Sequence, residues 1–329
     1  MPDAEIHFLT KYAHRQIVEH NPYISKVHLL DESLAATIAQ LKLEGFDYII
    51  DLHNNLRTSK IKRALKKTPS FSFNKLNIEK WLLVNLKINR LPNIHIVERY
   101  LATLQTFNVT NDGMGLDYFI PKNEIIKETD LPMSHQAGFI GVVIGAALNT
   151  KKLPLHKLKE LLAGIHHPII LLGGPEDKAN GNELASADPH KIYNSCGKFS
   201  LNESADLVRR SKLIISHDTG LMHIAAAFKK PIFSVWGNTV PEFGMGPYYG
   251  TNYELRITNY EFEIPMKAKS QKPKAESTAI LHRPSAIQLG CRPCSKIGFN
   301  KCPKGHFKCM ELQDVESIAD AATVFLTKK

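Results

Sequence analysis

Long apolar runs are missing from this chain. No stretch approaches the roughly eighteen consecutive apolar residues that a membrane-spanning helix needs. The opening Met1-Pro2-Asp3-Ala4-Glu5-Ile6-His7 is neither basic nor followed by an apolar core, so nothing here directs export. The expectation is a protein that neither spans a membrane nor is secreted. Cysteine is sparse, with five among 329 residues: Cys196 stands alone and Cys291, Cys294, Cys302 and Cys309 cluster late, which is not a secreted disulfide framework. Hydrophobic residues at 43% and charged residues at 22% exclude long disorder, collagen-like sequence and coiled coil. At roughly 100 to 200 residues per domain, the length predicts two domains, each able to bury its own core.

Negative charge is in deficit. The formal net charge of +10 draws the chain toward something anionic: nucleic acid, an anionic membrane face or a phosphorylated substrate. Arg57, Lys60, Lys62, Arg63, Lys66 and Lys67 form a basic run without an acid among them, but no aromatic residues interleave to stack bases, which argues against nucleic acid. A solvated helix face is the plainer reading of that run.

Short β-branched runs recur at Glu5–Leu9, Val27–Leu30, Tyr48–Leu52, Phe139–Ile144, Ile169–Leu172, Leu213–Ser216 and Ile232–Val235. Helical spacing lies between them, at Leu155–Ala163, Glu203–Arg210 and Leu221–Phe228. Strand and helix in alternation predict parallel sheets covered on both faces, hence two α/β doubly wound domains. The polar stretch Pro121–Ala137 marks the boundary, giving one unit over 1–125 and a second over 135–312. Beyond Pro247 the alternation stops. Thr251–Ile257 and Thr258–Ile264 are one seven-residue unit written twice, with five positions identical, and their apolar alternation suggests two short strands or a bulge. Pro265–Ser285, rich in Lys and Pro, reads as a mobile insertion, so 251–288 is taken as an insertion in the second unit. A helix is expected from about Val315 to Leu326.

Chemistry concentrates in the second unit. After the strand ending at Gly145 comes a loop with Thr150 and Lys151, then a helix with Pro154 at its entrance; backbone amides and the helix dipole attract a phosphate there, with the lysine and hydroxyl as extra donors. The next strand ends in Leu-Leu-Gly-Gly-Pro-Glu-Asp, and Glu176 is the better placed of the two acids for ribose hydroxyls, the alternative being a helix cap. The strongest segment is Leu213–Phe228, a buried strand turning into an apolar helix through Asp218-Thr219-Gly220. Gly220 permits close backbone approach, and Thr219 with the first helical amides can cradle a diphosphate. Asp218 would repel that anion unless it caps the helix, holds a sugar hydroxyl or pairs with His223, one turn into the helix. Asp-Thr-Gly also occurs in aspartic proteases, but those need two such loops in a β-rich setting, and here one copy sits at a strand-to-helix turn.

The set Thr150-Lys151-Lys152-Leu153-Pro154, Leu172-Gly173-Gly174-Pro175-Glu176, Asp218-Thr219-Gly220-Leu221-Met222-His223, Trp236-Gly237 and Gly246-Pro247 resembles glycosyltransferase family 9, the ADP-heptose:lipopolysaccharide heptosyltransferases and their relatives. The late Cys291-Arg-Pro-Cys294, Cys302-Pro-Lys-Gly-His306 and Cys309-Met310 are similar to a segment found in many members. The resemblance implies GT-B architecture: two facing Rossmann-like domains and a C-terminal helix, 313–329, crossing back. It implies a donor site in which Thr150 and Lys151 hold the diphosphate, Glu176 the ribose, and Asp218, Thr219, Gly220, Leu221 and His223 the phosphates and the sugar. It implies inverting transfer of a heptose or related sugar to lipopolysaccharide core, without cofactor or catalytic metal. The partners would be a nucleotide diphosphate sugar, with ADP-heptose the expected donor, and a lipid A core acceptor at the cytoplasmic face of the inner membrane, which would suit the basic run.

One departure carries weight. Family members open with a strand, a Gly-Asp loop and a helix, whereas Glu5–Leu9 resembles the family's second strand; the first strand, its helix and the usual base are expected upstream of Met1. Asp51, His53, Asn54 and Arg57 match an acceptor-side segment and are read as positioning the acceptor, leaving the base unassigned. The alternative function is a non-catalytic homologue that only binds a nucleotide or nucleotide sugar. Cys291, Cys294, Cys302 and Cys309, with His306 nearby, admit three readings: packing thiols, a structural metal site, or an iron-sulfur centre.

Overall fold

A computed structural model describes residues 4–252, 255–257 and 280–327. Eleven strands are present among them: β1 (His7–Lys11), β2 (Lys26–Leu30), β3 (Ile49–Asp51), β4 (Ser70–Ser72), β5 (Ile140–Val143), β6 (Ile169–Leu172), β7 (Ile192–Asn194), β8 (Leu213–His217), β9 (Ile232–Trp236), β10 (Leu255–Ile257) and β11 (Ile280–Ala286). Strands β5 to β11 form one parallel sheet in the order β10-β11-β9-β8-β5-β6-β7.

The continuous apolar runs in β5, β6, β8 and β9 follow from this placement, since every residue of the four strands is buried and both faces are covered. On one face the helix Leu155–Gly164 and the C-terminal helix Val315–Thr327 close a core around Leu161, Leu162, Ile165 and Ile318. On the other, the helices Leu201–Arg210 and Gly220–Ala227 pack with Ile214, Met222, Trp236 and Tyr249. The helix expected from Glu203 begins at Leu201 because Ser200 caps it: the Ser200 hydroxyl accepts the Glu203 amide at 3.1 Å, and the Glu203 carboxylate accepts the Ser200 amide at 2.7 Å.

Within the 251–288 segment, β10 and β11 belong to the central sheet, and β11 pairs directly with β9. The first copy of the repeat contributes Leu255–Ile257, while the second copy, Thr258–Ile264, and most of the Lys-Pro stretch lie outside the described residues. The C-terminal helix Val315–Thr327 packs on the second unit. Val315, Ile318, Ala319 and Ala322 bury into the second unit's own core, and Ala319 packs so tightly on Gly164 that a Cβ added there would sit 2.9 Å from the Ala319 methyl.

The first unit is also built of parallel strands alternating with helices. Its strands form two separate parallel pairs, β1 with β2 and β3 with β4. A cavity of about 580 Å³ lies between the pairs, lined by residues of β1 and β3 and by His28, Phe46, Arg57 and Lys62. The stretch after it joins the second unit early: the Tyr118 hydroxyl donates to Asn202 at 2.6 Å, the Ser200 hydroxyl donates to Glu124 at 2.7 Å, and Ile126 and Leu131 enter the second core.

Candidate functional site

The carboxyl ends of β5, β6, β8 and β9 converge on one cleft, where ligands of open parallel sheets bind. At its centre the chain leaves β8 through Asp218 and Thr219 and enters the helix Gly220–Ala227. Thr219 occupies the N-cap position without a side-chain capping bond, which leaves the first helical amides to an external acceptor. A Cβ built on Gly220 meets nothing within 4 Å, so the helix start opens onto space.

Asp218 does not pair with His223. Its Oδ2 lies 2.7 Å from the Lys151 ammonium and accepts the Thr239 hydroxyl at 2.9 Å. The lysine expected to meet a phosphate is thus held at the turn by the carboxylate expected to repel one, and the two neutralise each other. His223, one turn into the helix, has its pKa lowered, first by burial, then by His95 and Lys151, against the opposing pull of Asp218.

Thr150 is placed at the same end but is occupied. Its hydroxyl donates to the Phe299 carbonyl at 2.9 Å and accepts the Phe299 amide at 2.8 Å, clamping the loop before the C-terminal helices. Of the two acids after β6, Asp177 is the structural one: it is buried, pairs with Lys152 at 2.9 Å and accepts the Gly174 amide at 3.1 Å. Glu176 stays exposed with no hydrogen bond to the described residues.

Several residues of the site escaped the sequence reading. His217, fully buried at the end of β8, accepts the Leu153 amide on Nε2 at 2.9 Å, and burial holds its pKa down at about 4. It fixes the Lys151-Lys152-Leu153 loop against the turn. Thr239 follows the Trp236-Gly237 motif, yet no spacing announces its bond to Asp218. From the first unit comes His95, whose Nδ1 accepts the Val97 amide at 3.2 Å and whose Nε2 donates to the Gly246 carbonyl at 2.9 Å; it stacks on Tyr248 at 4.6 Å. Burial lowers its pKa, and both ring nitrogens are hydrogen-bonded within the chain, so it ties the first unit to the Gly246–Tyr248 segment of the second.

In the first unit, Asp51 is buried at the end of β3. Its Oδ1 accepts the His53 and Asn54 amides at 3.0 and 2.7 Å, and its Oδ2 lies 2.8 Å from the Lys62 ammonium. Burial pushes its pKa up, but Lys62, those amides and the Thr58 hydroxyl outweigh it and the net direction is down. The Asn54 side chain donates to the Phe73 carbonyl at 3.1 Å, while His53 and Arg57 are exposed. Lys60, Arg63, Lys66 and Lys67 are exposed too, so the basic run forms a surface and Lys62 alone turns inward.

The late cysteines surround Arg292, whose guanidinium donates to the Thr239 carbonyl at 2.8 Å. The Cys294 thiol donates to the Cys291 carbonyl at 3.1 Å, and the Cys291 sulfur lies 3.8 Å from His306 Nε2. Burial pushes the Cys294 and Cys309 thiols up to about 11. Among the described residues, Cys291, Cys294, Cys302, Cys309 and His306 do not bring three ligand atoms within reach of one ion.

Residues 34–276 match the profile of glycosyltransferase family 9 (heptosyltransferase), which is well over half of the chain. The chain belongs to that family. Among curated family 9 relatives, lipooligosaccharide heptosyltransferase 2 of Haemophilus influenzae is 28% identical over 180 residues, covering 49% of this chain and 52% of the relative. The chain therefore spans about half the length of that relative. Among solved structures, a glycosyl transferase family 9 protein from Veillonella parvula superposes with a TM-score of 0.66 at 21% identity, covering 100% of this chain and 90% of that one. The E. coli ADP-heptose LPS heptosyltransferase II gives 0.60 at 17% identity, covering 97% and 92%. The fold of this family 9 member is accordingly α/β of the GT-B kind. Among the described residues, no helix is long and apolar enough to cross a membrane.

Proposed function

We propose that the chain moves a heptose, or a closely related sugar, from a nucleoside diphosphate carrier to the core of lipopolysaccharide, with ADP-heptose as donor. The observation that carries this reading is the Lys151–Asp218 pair, set 2.7 Å apart at an open helix N-terminus on the carboxyl edge of the sheet. A diphosphate entering there meets the first amides of Gly220–Ala227 and the Lys151 charge, which together stabilise the negative charge that grows on the leaving group. Glu176 is the group for the ribose hydroxyls, and His223 for the phosphates or the transferred sugar. The relatives' names supply the sugar and the acceptor.

In the transfer step a base removes the acceptor hydroxyl proton, the acceptor oxygen bonds to the anomeric carbon from the face opposite the diphosphate, and the carbon–oxygen bond to the nucleoside diphosphate breaks. The anomeric centre inverts, and the lysine and amides do the work a metal would otherwise do. The exposed basic surface around Arg57, Lys60, Arg63, Lys66 and Lys67 suits a phosphorylated lipid A core at the cytoplasmic face of the inner membrane. A second reading, a homologue that binds nucleotide sugar without transferring it, is favoured by one observation: both Asp51 oxygens are already engaged, so it is not available as base.

The test is calorimetric titration with ADP together with transfer from ADP-heptose to a heptose-free deep-core acceptor. The transfer reading requires both binding and product, each weakened in Lys151→Ala. ADP binding without product at any pH supports the binding-only reading, and absence of ADP binding defeats both.

A further inference from the structure

The first unit carries a cluster that sugar transfer does not use. β1 and β2 run parallel with His7 opposite Lys26, so His7, Lys26 and His28 share one face of the pair. Glu44 closes the C-terminal end of the helix Leu34–Leu43 and reaches the same face. His7 Nδ1 lies 3.0 Å from His28 Nε2, and the Glu44 oxygens lie 3.7 Å from the first and 3.9 Å from the second. Among the described residues, this is the one His/Cys/Asp/Glu set whose ligand atoms fall within a common sphere.

We infer that His7, His28 and Glu44 form a three-ligand site for a divalent transition-metal ion of the zinc or cobalt class, completed by water. The distances suit it. With metal–nitrogen bonds of about 2.0–2.1 Å, two nitrogens 3.0 Å apart subtend an angle near a right angle, and the Glu44 carboxylate presents Oε2 at 3.7 Å from His7 Nδ1 and Oε1 at 3.9 Å from His28 Nε2, one oxygen toward each imidazole. Two imidazoles and a carboxylate with open positions are a donor set for first-row divalent ions and a poor one for magnesium or calcium, which take oxygen.

The surroundings are those of a held site. Phe46 meets both rings edge-on, at 5.2 Å from His7 and 6.1 Å from His28, fixing their planes. Glu5, an exposed carboxylate, lies 3.8 Å from His7 Nε2, beyond hydrogen-bond reach. His7 and His28 line the 580 Å³ cavity, which gives the ion an entry path and room for its waters. Lys26 is the competitor: its ammonium lies 2.5 Å from Glu44, but the side chain is half exposed and free to swing into solvent when a dication takes its place. The ion would tie β1, β2 and the helix end together, acting as a clip for a unit whose sheet is split.

The experiment is Co²⁺ titration of the metal-stripped full chain by visible and near-ultraviolet absorption. Expected are one equivalent bound, weak visible bands typical of nitrogen and oxygen ligation, and no thiolate-to-metal charge transfer. Glu44→Gln, nearly isosteric, is expected to weaken binding at least about tenfold with an unchanged circular dichroism spectrum. His28→Ala should abolish it. Lys26→Met should tighten binding, because the competing ammonium is gone, whereas a cluster held only by its hydrogen bonds and ion pairs would gain nothing. Zn²⁺ should raise the melting temperature of the wild type and not of Glu44→Gln. A spectrum dominated by thiolate bands places the ion on the late cysteines and overturns the assignment, as does Co²⁺ binding unaffected by Glu44→Gln or lost in Lys26→Met.

Discussion

Lys151 and Lys152 are neighbours in sequence, but their ammonium groups serve different carboxylates: Lys151 meets Asp218 in the open cleft at 2.7 Å, and Lys152 meets buried Asp177 at 2.9 Å. The first pair stands where an anion arrives, and the second holds the β6 loop together. Lys151→Ala is therefore expected to weaken ADP binding by about 10- to 100-fold, the worth of a charge-assisted contact. The deficit should shrink as salt is raised. Lys152→Ala should cost about 1–3 kcal/mol of stability by leaving Asp177 short of its cation, with a smaller effect on affinity. Calorimetry at two salt concentrations and urea unfolding of both variants separate the roles; equal effects on affinity would contradict the assignment.

Gly220 offers a cleaner separation of ligand space from backbone need. A Cβ there touches nothing and the residue has no left-handed backbone angle, so Gly220→Ala should leave stability unchanged or raise it by about 0.5 kcal/mol through the unfolded chain. If a diphosphate lies against that backbone, the same methyl should still weaken ADP binding. Thermal unfolding with and without ADP reads both, and a variant that is stable and binds normally would move the diphosphate elsewhere.

What could be read ahead of the structure follows physical lines. β6, β8 and β9 were legible because strands buried on both faces must be apolar throughout, and Asp218-Thr219-Gly220 was legible as a turn because its residues suit a strand-to-helix corner. β4 and β7 were not, since three residues such as Ser70-Phe71-Ser72 carry too little pattern. β11 was hidden by its polar residues: His282 bonds Ser234 at 2.9 Å, Ser234 accepts the Trp236 indole at 2.8 Å, and Arg283 reaches Ser317. Such residues read as loop until their buried partners are known. The same holds at the site, where the residue types pointed to an anion but nothing local joined Lys151 or Thr239 to Asp218, or tied the Thr150 hydroxyl to Phe299.

Asp51 is expected to act through the loop it organises. Asp51→Asn keeps one acceptor for the His53 and Asn54 amides but loses the charge facing Lys62, at a cost of about 1.5–3 kcal/mol. Because its folded pKa lies below the ordinary 3.8, the wild-type carboxylate contributes stability that is present above that value and disappears as pH falls toward the lower folded one. Urea midpoints of wild type and Asp51→Asn should therefore converge in strong acid. If sugar transfer is measurable, the variant should change the acceptor KM more than kcat; a loss confined to kcat would contradict a positioning role for Asp51.

His217 and His282 set the acid limit at milder pH. Both are buried and neutral, His217 accepting the Leu153 amide and His282 bonded to Ser234, and burial lowers each from the ordinary 6.5 to about 4. An unfolded chain binds protons at these histidines below pH 6.5 while the folded chain refuses them until about pH 4. Stability is therefore full above pH 6.5 and falls through the window between the two values. Replacing His217 by Gln, which can present an acceptor to Leu153 without titrating, should lower stability at pH 7.5 yet flatten its slope between pH 6.5 and 4. His282→Gln should flatten the same slope independently, since the two lie on different strands. Urea unfolding at half-unit pH steps decides it: a slope unchanged in both variants would mean that other groups govern acid unfolding of this fold.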